Sequence, residues 1–289
     1  MAASSALKTY YYLAKPGIVY GNVMTTVAGF LFAASKTVHI NTLIACVFGT
    51  GMVIASACVL NNCIDRDIDA KMERTSKRAL VSGRVELADA LVYAFVLFAF
   101  GFTLLIRGTN WLTVAVGLVG YIAYVALYGY AKRTTIYGTL IGSISGSMPL
   151  VAGYTAGTGK FDINAWLLFL IMAAWQMPHF YAIGIYRLRD YKAASLPIWP
   201  AVKGIASTKR QILLYTILFI IACALLTIWG HASYSFMVIM LITGAYWLYK
   251  ALPGRQASND TDWARGLFGF SLIILLVLSA SLSLNTWLP

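Results

Sequence analysis

The sequence is poor in charged residues and in cysteine. Charged residues make up only 11% of its 289 positions and hydrophobic residues 60%, whereas soluble domains average about a quarter charged residues. This composition argues against a soluble enzyme, a disordered chain and a nucleic-acid-binding domain. The four cysteines have no CxxC spacing, which indicates neither a disulfide framework nor a zinc site; they are Cys46, Cys58, Cys63 and Cys223.

Apolar runs of about twenty residues recur along almost the whole chain, and each is long enough to cross a bilayer as a helix. We therefore predict an all-α polytopic membrane protein that forms a single domain over residues 1–289. Nine spans are predicted, at residues 17–35, 40–62, 89–106, 111–130, 136–156, 163–186, 211–229, 234–251 and 266–287. A stripe of small residues, Gly138, Gly142 and Gly146, indicates that the fifth span packs closely against a neighbour.

The basic residues lie mostly in alternate connections between these spans. If the N-terminus is cytoplasmic, 19 of the 22 Lys and Arg residues face the cytoplasm, and only Lys36, Arg107 and Lys160 lie outside. This asymmetry follows the positive-inside rule, so we predict a cytoplasmic N-terminus, an external C-terminus and a location in a bacterial inner membrane. The net charge of +12 then indicates contact with anionic lipid headgroups or a phosphorylated substrate, and no nucleic-acid partner.

Six of the ten acidic residues lie between positions 65 and 89. Asn61, Asp65 and Asp69 are spaced four apart at the end of the second span, so they share one face if the helix continues. Mg²⁺ takes oxygen ligands, commonly one or two carboxylates together with substrate phosphates. Because charge at a membrane helix is costly unless it is used, the stripe predicts a magnesium site. Asp67 lies off the stripe and is either a surface charge or a support for its neighbours.

Basic residues follow this acidic stripe. The segment 71–78, Lys-Met-Glu-Arg-Thr-Ser-Lys-Arg, supplies cations suited to phosphate oxygens. Lys132 and Arg133 stand between the fourth and fifth spans, where they either set the topology or face the same cytoplasmic cavity. The basic residues at this cytoplasmic end of the predicted bundle, which we call the mouth, therefore predict a phosphate-containing ligand.

A second polar group ends the sixth span and begins with the segment 175–179, Trp-Gln-Met-Pro-His. Pro178 removes a helix hydrogen bond and is expected to kink the span. His179 is either a hydrogen-bonded packing residue or a functional group, namely a substrate contact, an acid or base, or a haem-iron ligand. Gln176 leaves the same alternatives open.

Together these motifs resemble those of the intramembrane UbiA-type prenyltransferases. The N-x3-D-x3-D pattern of that superfamily is present at residues 61–69. Four more segments narrow the resemblance to its haem-farnesylating family, the haem O synthases: Met-Glu-Arg-Thr at 72–75, Gly-Thr-Leu-Ile-Gly at 138–142, Trp-Gln-Met-Pro-His at 175–179 and Asp-Tyr at 190–191. The similarity extends from Lys15 to Arg265, and the segment 175–179 points to haem rather than to a quinone precursor.

This resemblance implies nine helices around a central cavity with its active site facing the cytoplasm, Mg²⁺ as cofactor, and haem B and farnesyl diphosphate as substrates. The implied reaction joins the farnesyl group to a haem vinyl group with addition of water, which gives haem O. A haem A synthase or a terminal oxidase is the implied partner that takes the product.

The resemblance also assigns roles to residues of this chain. It implies that Asn61, Asp65 and Asp69 hold the metal and that Asp65, Asp69 and His179 are catalytic. It implies diphosphate contacts from Arg74, Arg78, Lys132 and Arg133. The residues expected at the haem or at a second site are His179, Gln176, Asp190 and Lys192.

One departure and two alternatives accompany the resemblance. Quinone-type members usually carry a second pair of carboxylates after the sixth helix, but this chain has Tyr186 and a single Asp190 at that spacing, which argues against a second metal there. Prenylation of an aromatic acid for quinone synthesis is one alternative, and it requires no haem pocket. A multi-pass transporter of an anionic solute is the other, although transporters tend to place their charges at the bilayer midplane.

Overall fold

The structure is a computed structural model that describes residues 2–34 and 38–287. The predicted end of the first span at residue 35 and the external Lys36 lie outside the described residues. The α-helices are α1 (Ala2–Leu13), α2 (Pro16–Ala33), α3 (Ile40–Ile64), α4 (Arg66–Asp69), α5 (Leu87–Gly108), α6 (Trp111–Ile122), α7 (Gly129–Thr134), α8 (Gly138–Thr158), α9 (Ile163–Tyr186), α10 (Leu188–Ala193), α11 (Trp199–Val202), α12 (Gly204–Ile228), α13 (Tyr234–Ala251) and α14 (Asp260–Leu284). A π-helix, Ala123–Tyr128, joins α6 to α7, and short 3₁₀ segments follow α13 and α14.

The all-α membrane architecture is confirmed. Within the described residues, eight helical segments are long and apolar enough to cross a membrane. Helix α8 has the length of a span, at 21 residues, but is not among the eight. Its five glycines and six Ser or Thr residues make it less apolar than its neighbours.

Helix α8 lies inside the bundle, where it packs against α2, α6 and α9. Helix α9 in turn packs against α12 and α14, and α3 packs against α5. The main hydrophobic core runs through α8, α9, α12 and α14, and includes the fully buried side chains of Leu150, Ile171, Phe219 and Ile274. Burial of α8 among other helices allows its polar side chains to hydrogen-bond within the protein.

Side-chain caps define several helix starts. The Asn110 side chain accepts from the Thr113 backbone N–H at 2.9 Å, and the Asp162 carboxylate accepts from the Asn164 N–H at 3.0 Å. Ser233 caps α13 in the same way. These side-chain oxygens satisfy first-turn N–H groups that have no helical partner.

Two predicted helix starts and one predicted end were wrong. Helix α12 begins at Gly204 rather than at residue 211, and α14 begins at Asp260 rather than at 266. Both helices extend past the apolar run, and an ion pair between Lys209 and Asp260 joins the two added turns. The fourth span continues beyond residue 130 to Thr134, because the helix persists through the π-helix and α7. Hydropathy marks the apolar part of a helix and misses its charged turns.

Candidate functional site

The Asn61, Asp65 and Asp69 side chains lie on one face, as their spacing predicts. Helix α3 ends at Ile64 and Asp65 is a turn residue, with φ −91° and ψ 7°, but helical hydrogen bonding continues across it. The Asp65 N–H donates to the Asn61 carbonyl at 2.9 Å, and the Asp69 N–H donates to the Asp65 carbonyl at 2.8 Å. All three residues are buried, with 5%, 8% and 2% of their surface exposed. We call these three residues the acidic stripe.

A cation from a different part of the chain meets each member of the stripe. Lys15 Nζ donates to Asn61 Oδ1 at 2.6 Å, Lys132 forms an ion pair with Asp65, and Arg78 donates to Asp69 Oδ2 at 2.6 Å. These ion pairs are partly or largely buried, where charges interact more strongly than in water. Of the four predicted diphosphate ligands, Arg78 and Lys132 thus contact the stripe directly, and Arg133 also reaches Asp65, at 3.4 Å.

Arg133 is fixed mainly by Asp67. Its guanidinium donates two hydrogen bonds to the Asp67 carboxylate at 2.8 and 2.9 Å, and one to the Ile64 carbonyl at 2.6 Å. The bond from Arg133 lowers the pKa of Asp67 to about 2. Asp65 lies farther from the same guanidinium, at 3.4 Å. The Asp67 side chain is 61% exposed, so it bonds Arg133 from the solvent side of the site.

Lys15 belongs to the site although its sequence indicated only topology. It has left-handed backbone angles, φ 55° and ψ 64°, immediately before Pro16. A non-glycine residue in this conformation is strained, and such strain concentrates at functional sites. Burial lowers the pKa of Lys15 to about 8. The contact between the Lys15 ammonium group and Asn61 thus forms despite a strained backbone at Lys15 and the desolvation of its charge.

The π-helix places two tyrosines beside the stripe. The Tyr124 and Tyr128 rings stack with centroids 5.6 Å apart, and the Lys132 ammonium lies 5.1 Å from the Tyr128 ring centre. Single π-helical turns are frequent at functional sites because the extra residue shifts the face that follows. Here the shifted residues include Lys132. Nothing in the sequence pattern identified this turn.

The remaining residues of this mouth come from the loops around α4 and α10. Ile68 and Met72 pack against Ala194, so the two segments are adjacent. Burial raises the pKa of Tyr191 in α10, and the positive charge of Arg74 opposes that effect. Asp190 lies 3.9 Å from Arg187, and Lys192 is exposed. Neither reaches the acidic stripe among the described contacts.

Gln176 and His179 lie deeper in the bundle and face different neighbours. The Gln176 amide donates to the Ser143 carbonyl at 3.2 Å and to Ser147 Oγ at 3.3 Å, both on α8. His179 Nδ1 lies 2.7 Å from Ser271 Oγ on α14. Helix α9 continues through Pro178 to Tyr186, so its predicted kink stays a prediction.

The glycine stripe of α8 packs directly against site residues. A Cβ atom at Gly138 would lie 2.8 Å from the Lys132 Cα, and one at Gly142 would lie 2.8 Å from the Tyr128 ring. A Cβ at Gly146 would overlap the Gln176 amide. The predicted close packing is confirmed, and it sets the positions of Lys132, Tyr128 and Gln176.

We expect Gly142→Ala to lower the free energy of unfolding by about 1–3 kcal/mol, because an added methyl group in a packed interior forces its neighbours to move. It should also raise the KM for a prenyl diphosphate by displacing Tyr128. Gly269→Ala is the matched control, since nothing lies within 4 Å of its Cβ position and Ala favours helix over Gly. Thermal unfolding in detergent compares the two variants; equal loss of stability in both would contradict the packing argument.

The donor set of the acidic stripe suits Mg²⁺ in the presence of a phosphate ligand. Across residues 2–34 and 38–287, no three His, Cys, Asp or Glu side chains are grouped closely enough to hold a metal by themselves. Asn61, Asp65 and Asp69 offer one amide oxygen and two carboxylates. Mg²⁺ is usually bound by one or two carboxylates, water and substrate phosphates, so these residues fit the ion only as part of a substrate complex.

Comparison with known proteins decides the family. The chain matches the UbiA prenyltransferase family over residues 22–287. The chain belongs to the UbiA prenyltransferase family. Two bacterial relatives of this UbiA protein are both named protoheme IX farnesyltransferase. The protein from Yersinia enterocolitica is 45% identical over 284 residues, covering 98% of this chain and 96% of the relative. The protein from Shigella flexneri is 46% identical over 283 residues, with the same coverage.

Solved structures share the UbiA fold. A digeranylgeranylglyceryl phosphate synthase superposes with a TM-score of 0.79 at 19% identity, covering 97% of this chain and 98% of that one. A UbiA homolog from Archaeoglobus fulgidus, solved bound to GPP and Mg²⁺, gives a TM-score of 0.73 at 15% identity, covering 95% and 99%. The predicted fold family is therefore confirmed.

Proposed function

We propose that this UbiA-family protein is a protohaem IX farnesyltransferase, or haem O synthase. It transfers the farnesyl group of farnesyl diphosphate to a vinyl group of haem B, and water adds to give haem O. The single observation that carries this proposal is the pairing of a buried acidic stripe and its converging cations with 45–46% identity, over nearly the whole chain, to proteins of that name.

The diphosphate binds at the charged end of the bundle. Arg78, Lys132 and Arg133 converge there, Lys15 adds a fourth cation, and Arg74 in the loop after α4 is the proposed fifth. Guanidinium and ammonium groups bind phosphate oxygens by charge-assisted hydrogen bonds, which are stronger than neutral ones. These cations stabilise the negative charge that develops on the leaving diphosphate, so they lower the barrier to breaking the farnesyl C–O bond.

Asn61, Asp65 and Asp69 would hold Mg²⁺ together with the diphosphate, and the ion would supply additional neutralisation of the leaving group. The two carboxylates also keep Lys132 and Arg78 in place at the mouth. The acidic stripe thus has two duties, binding the metal and orienting the cations that contact the substrate.

The reaction needs an apolar space next to this charged end. The farnesyl carbon that loses diphosphate forms a bond with the terminal carbon of a haem vinyl group, and the resulting cation on the haem side takes up water, which releases a proton. The stacked rings of Tyr124 and Tyr128, one of which faces the Lys132 ammonium, are the proposed aromatic groups that stabilise a cation next to the stripe. His179, Gln176 and Asp190 are the proposed acceptor-side residues on α9 and α10, with Lys192 at the rim.

The membrane topology completes the proposal. Helix α8 is the ninth span, buried among α2, α6 and α9 rather than facing lipid. With nine spans and the basic residues placed by the positive-inside rule, the N-terminus and the active site face the cytoplasm and the C-terminus lies outside.

Release of inorganic diphosphate tests the proposed function. Purified protein with farnesyl diphosphate and Mg²⁺ should release diphosphate much faster when haem B is added than when 4-hydroxybenzoate is added. A chelator should bring the rate to background, and returning Mg²⁺ should restore it, because the leaving group then regains its neutralising charge. Faster release with 4-hydroxybenzoate would favour quinone-type prenylation. If folded protein released no diphosphate with either acceptor, both enzymatic functions would be opposed.

A further inference from the structure

The side chain of Ser271 makes two hydrogen bonds, and its role as donor in one and acceptor in the other is fixed. Ser271 Oγ donates to the Phe268 carbonyl, one turn earlier in α14, at 2.6 Å. The same oxygen lies 2.7 Å from His179 Nδ1. A serine hydroxyl has one proton and two lone pairs, so with its proton directed to Phe268 it can only accept from the imidazole. The proton of neutral His179 is therefore on Nδ1.

This arrangement leaves the other imidazole nitrogen as a bare lone pair. Within the part of the chain that the structure describes, no residue hydrogen-bonds to Nε2, and His179 keeps 8% of its surface accessible. The imidazole ring stacks on Trp175, with ring centroids 4.7 Å apart and an interplanar angle of 25°. The ring centroid of Phe268 lies 5.0 Å from that of His179. Trp175 Nε1 donates to the Ser271 backbone carbonyl at 2.9 Å, so one residue of α14 anchors both rings.

We infer that Ser271 is a positioning residue that fixes the tautomer of His179 so that Nε2 coordinates the iron of the haem substrate. An imidazole that ligates a metal through one nitrogen usually donates its other N–H to a hydrogen-bond acceptor, which fixes the tautomer and the ring orientation. The inference rests on the proposed function, because it takes haem as the acceptor substrate.

The surroundings of His179 favour metal coordination over proton transfer. A base at this site becomes an imidazolium after it accepts a proton, and a buried cation needs a carboxylate partner to be stable. Among the described residues no carboxylate forms an ion pair with His179, and its neighbours are aromatic. Coordination of iron leaves the imidazole neutral and needs no such partner.

Nitrogen NMR of protein labelled with ¹⁵N-histidine tests the tautomer directly, without haem. The chain has three histidines, and His179→Gln assigns the signal. We expect Nδ1 to be protonated in the wild type and the proton to move largely to Nε2 in Ser271→Ala. Ser279→Ala, the same change two turns along α14, should leave the signal unchanged. Protonated Nε2 in the wild type, or no change in Ser271→Ala, would overturn the inference.

Titration with haem B tests the consequence. Ser271→Ala should weaken ferric haem B binding by about 10–100-fold, and its absorption and EPR spectra should lose the histidine-ligated form. His179→Gly should lose that form as well, and added imidazole should restore it. The Trp175 bond survives in Ser271→Ala because its acceptor is the backbone carbonyl. Unchanged haem affinity and spectra would overturn the inference, whereas failure of the wild type to farnesylate haem is the separate failure of the proposed function.

Discussion

Asp65→Asn and Asp69→Asn should each reduce farnesyl transfer by at least about 100-fold, the scale on which loss of one transition-state contact acts. Each change removes a negative ligand from the proposed metal site and keeps the size of the side chain. The amide retains an oxygen for the cation that the carboxylate now meets, Lys132 in one case and Arg78 in the other. Turnover should therefore fall while folding and haem binding remain close to those of the wild type.

Asp67→Asn is the matched control inside the same motif. Its carboxylate is exposed and bonds Arg133 from the outside, so we expect a loss of less than about 10-fold, the scale of one weakened charge-assisted bond. Steady-state rates at several Mg²⁺ concentrations separate the two classes. The stripe variants should require more Mg²⁺ for half-maximal rate, and Asp67→Asn should not. Equal losses in all three variants would contradict the metal assignment.

Lys132→Met should lower kcat/KM for farnesyl diphosphate by about 10–100-fold. A charge-assisted hydrogen bond is worth about 1.5–3 kcal/mol, and each 1.36 kcal/mol corresponds to tenfold in rate. The Lys132 side chain is only 11% exposed and lies between Asp65 and the Tyr128 ring. Solvent therefore cannot compensate fully for the loss of its positive charge. Methionine keeps the length of the stem and removes only the ammonium group.

The control for this variant is Lys203→Met, at an exposed lysine just before α12. It should leave kcat/KM within about twofold of the wild type, because surface charges contribute little. Lys132→Arg should recover part of the activity, since guanidinium keeps the charge but is larger. Equal activity of Lys132→Met and Lys203→Met would remove Lys132 from the diphosphate site.

The part of the site that sequence predicts is the part built from local spacing. Asn61, Asp65 and Asp69 share a face because successive i to i+4 hydrogen bonds continue through the end of α3, and four-residue spacing encodes that geometry. The apolar runs likewise predict the membrane helices, since length and hydropathy are local properties. The family motifs add the diphosphate cations, three of which meet at the stripe.

Long-range contacts account for what the sequence did not show. Lys15 bonds a residue 46 positions away, and Ser271 meets His179 across 92 positions. Neither pairing leaves a periodic pattern, because it depends on how α2 and α14 pack beside α3 and α9. The π-helix before Lys132 is also invisible to periodicity, since one extra residue in a single turn barely alters the hydrophobic pattern. The helix starts at Gly204 and Asp260 were missed because charged residues lie in the first two turns of each helix, ahead of the apolar run.

Mass spectrometry of the extracted haem tests the central claim most directly. Purified protein in detergent receives haem B, 4-hydroxybenzoate and farnesyl diphosphate together, with Mg²⁺ or with chelator. Haem farnesylation predicts a Mg²⁺-dependent increase in haem mass equal to one farnesyl group plus one hydroxyl group, because water adds and releases a proton, with 4-hydroxybenzoate unchanged. Unmodified haem beside a farnesylated aromatic acid would contradict the proposal and assign the protein to quinone-type prenylation.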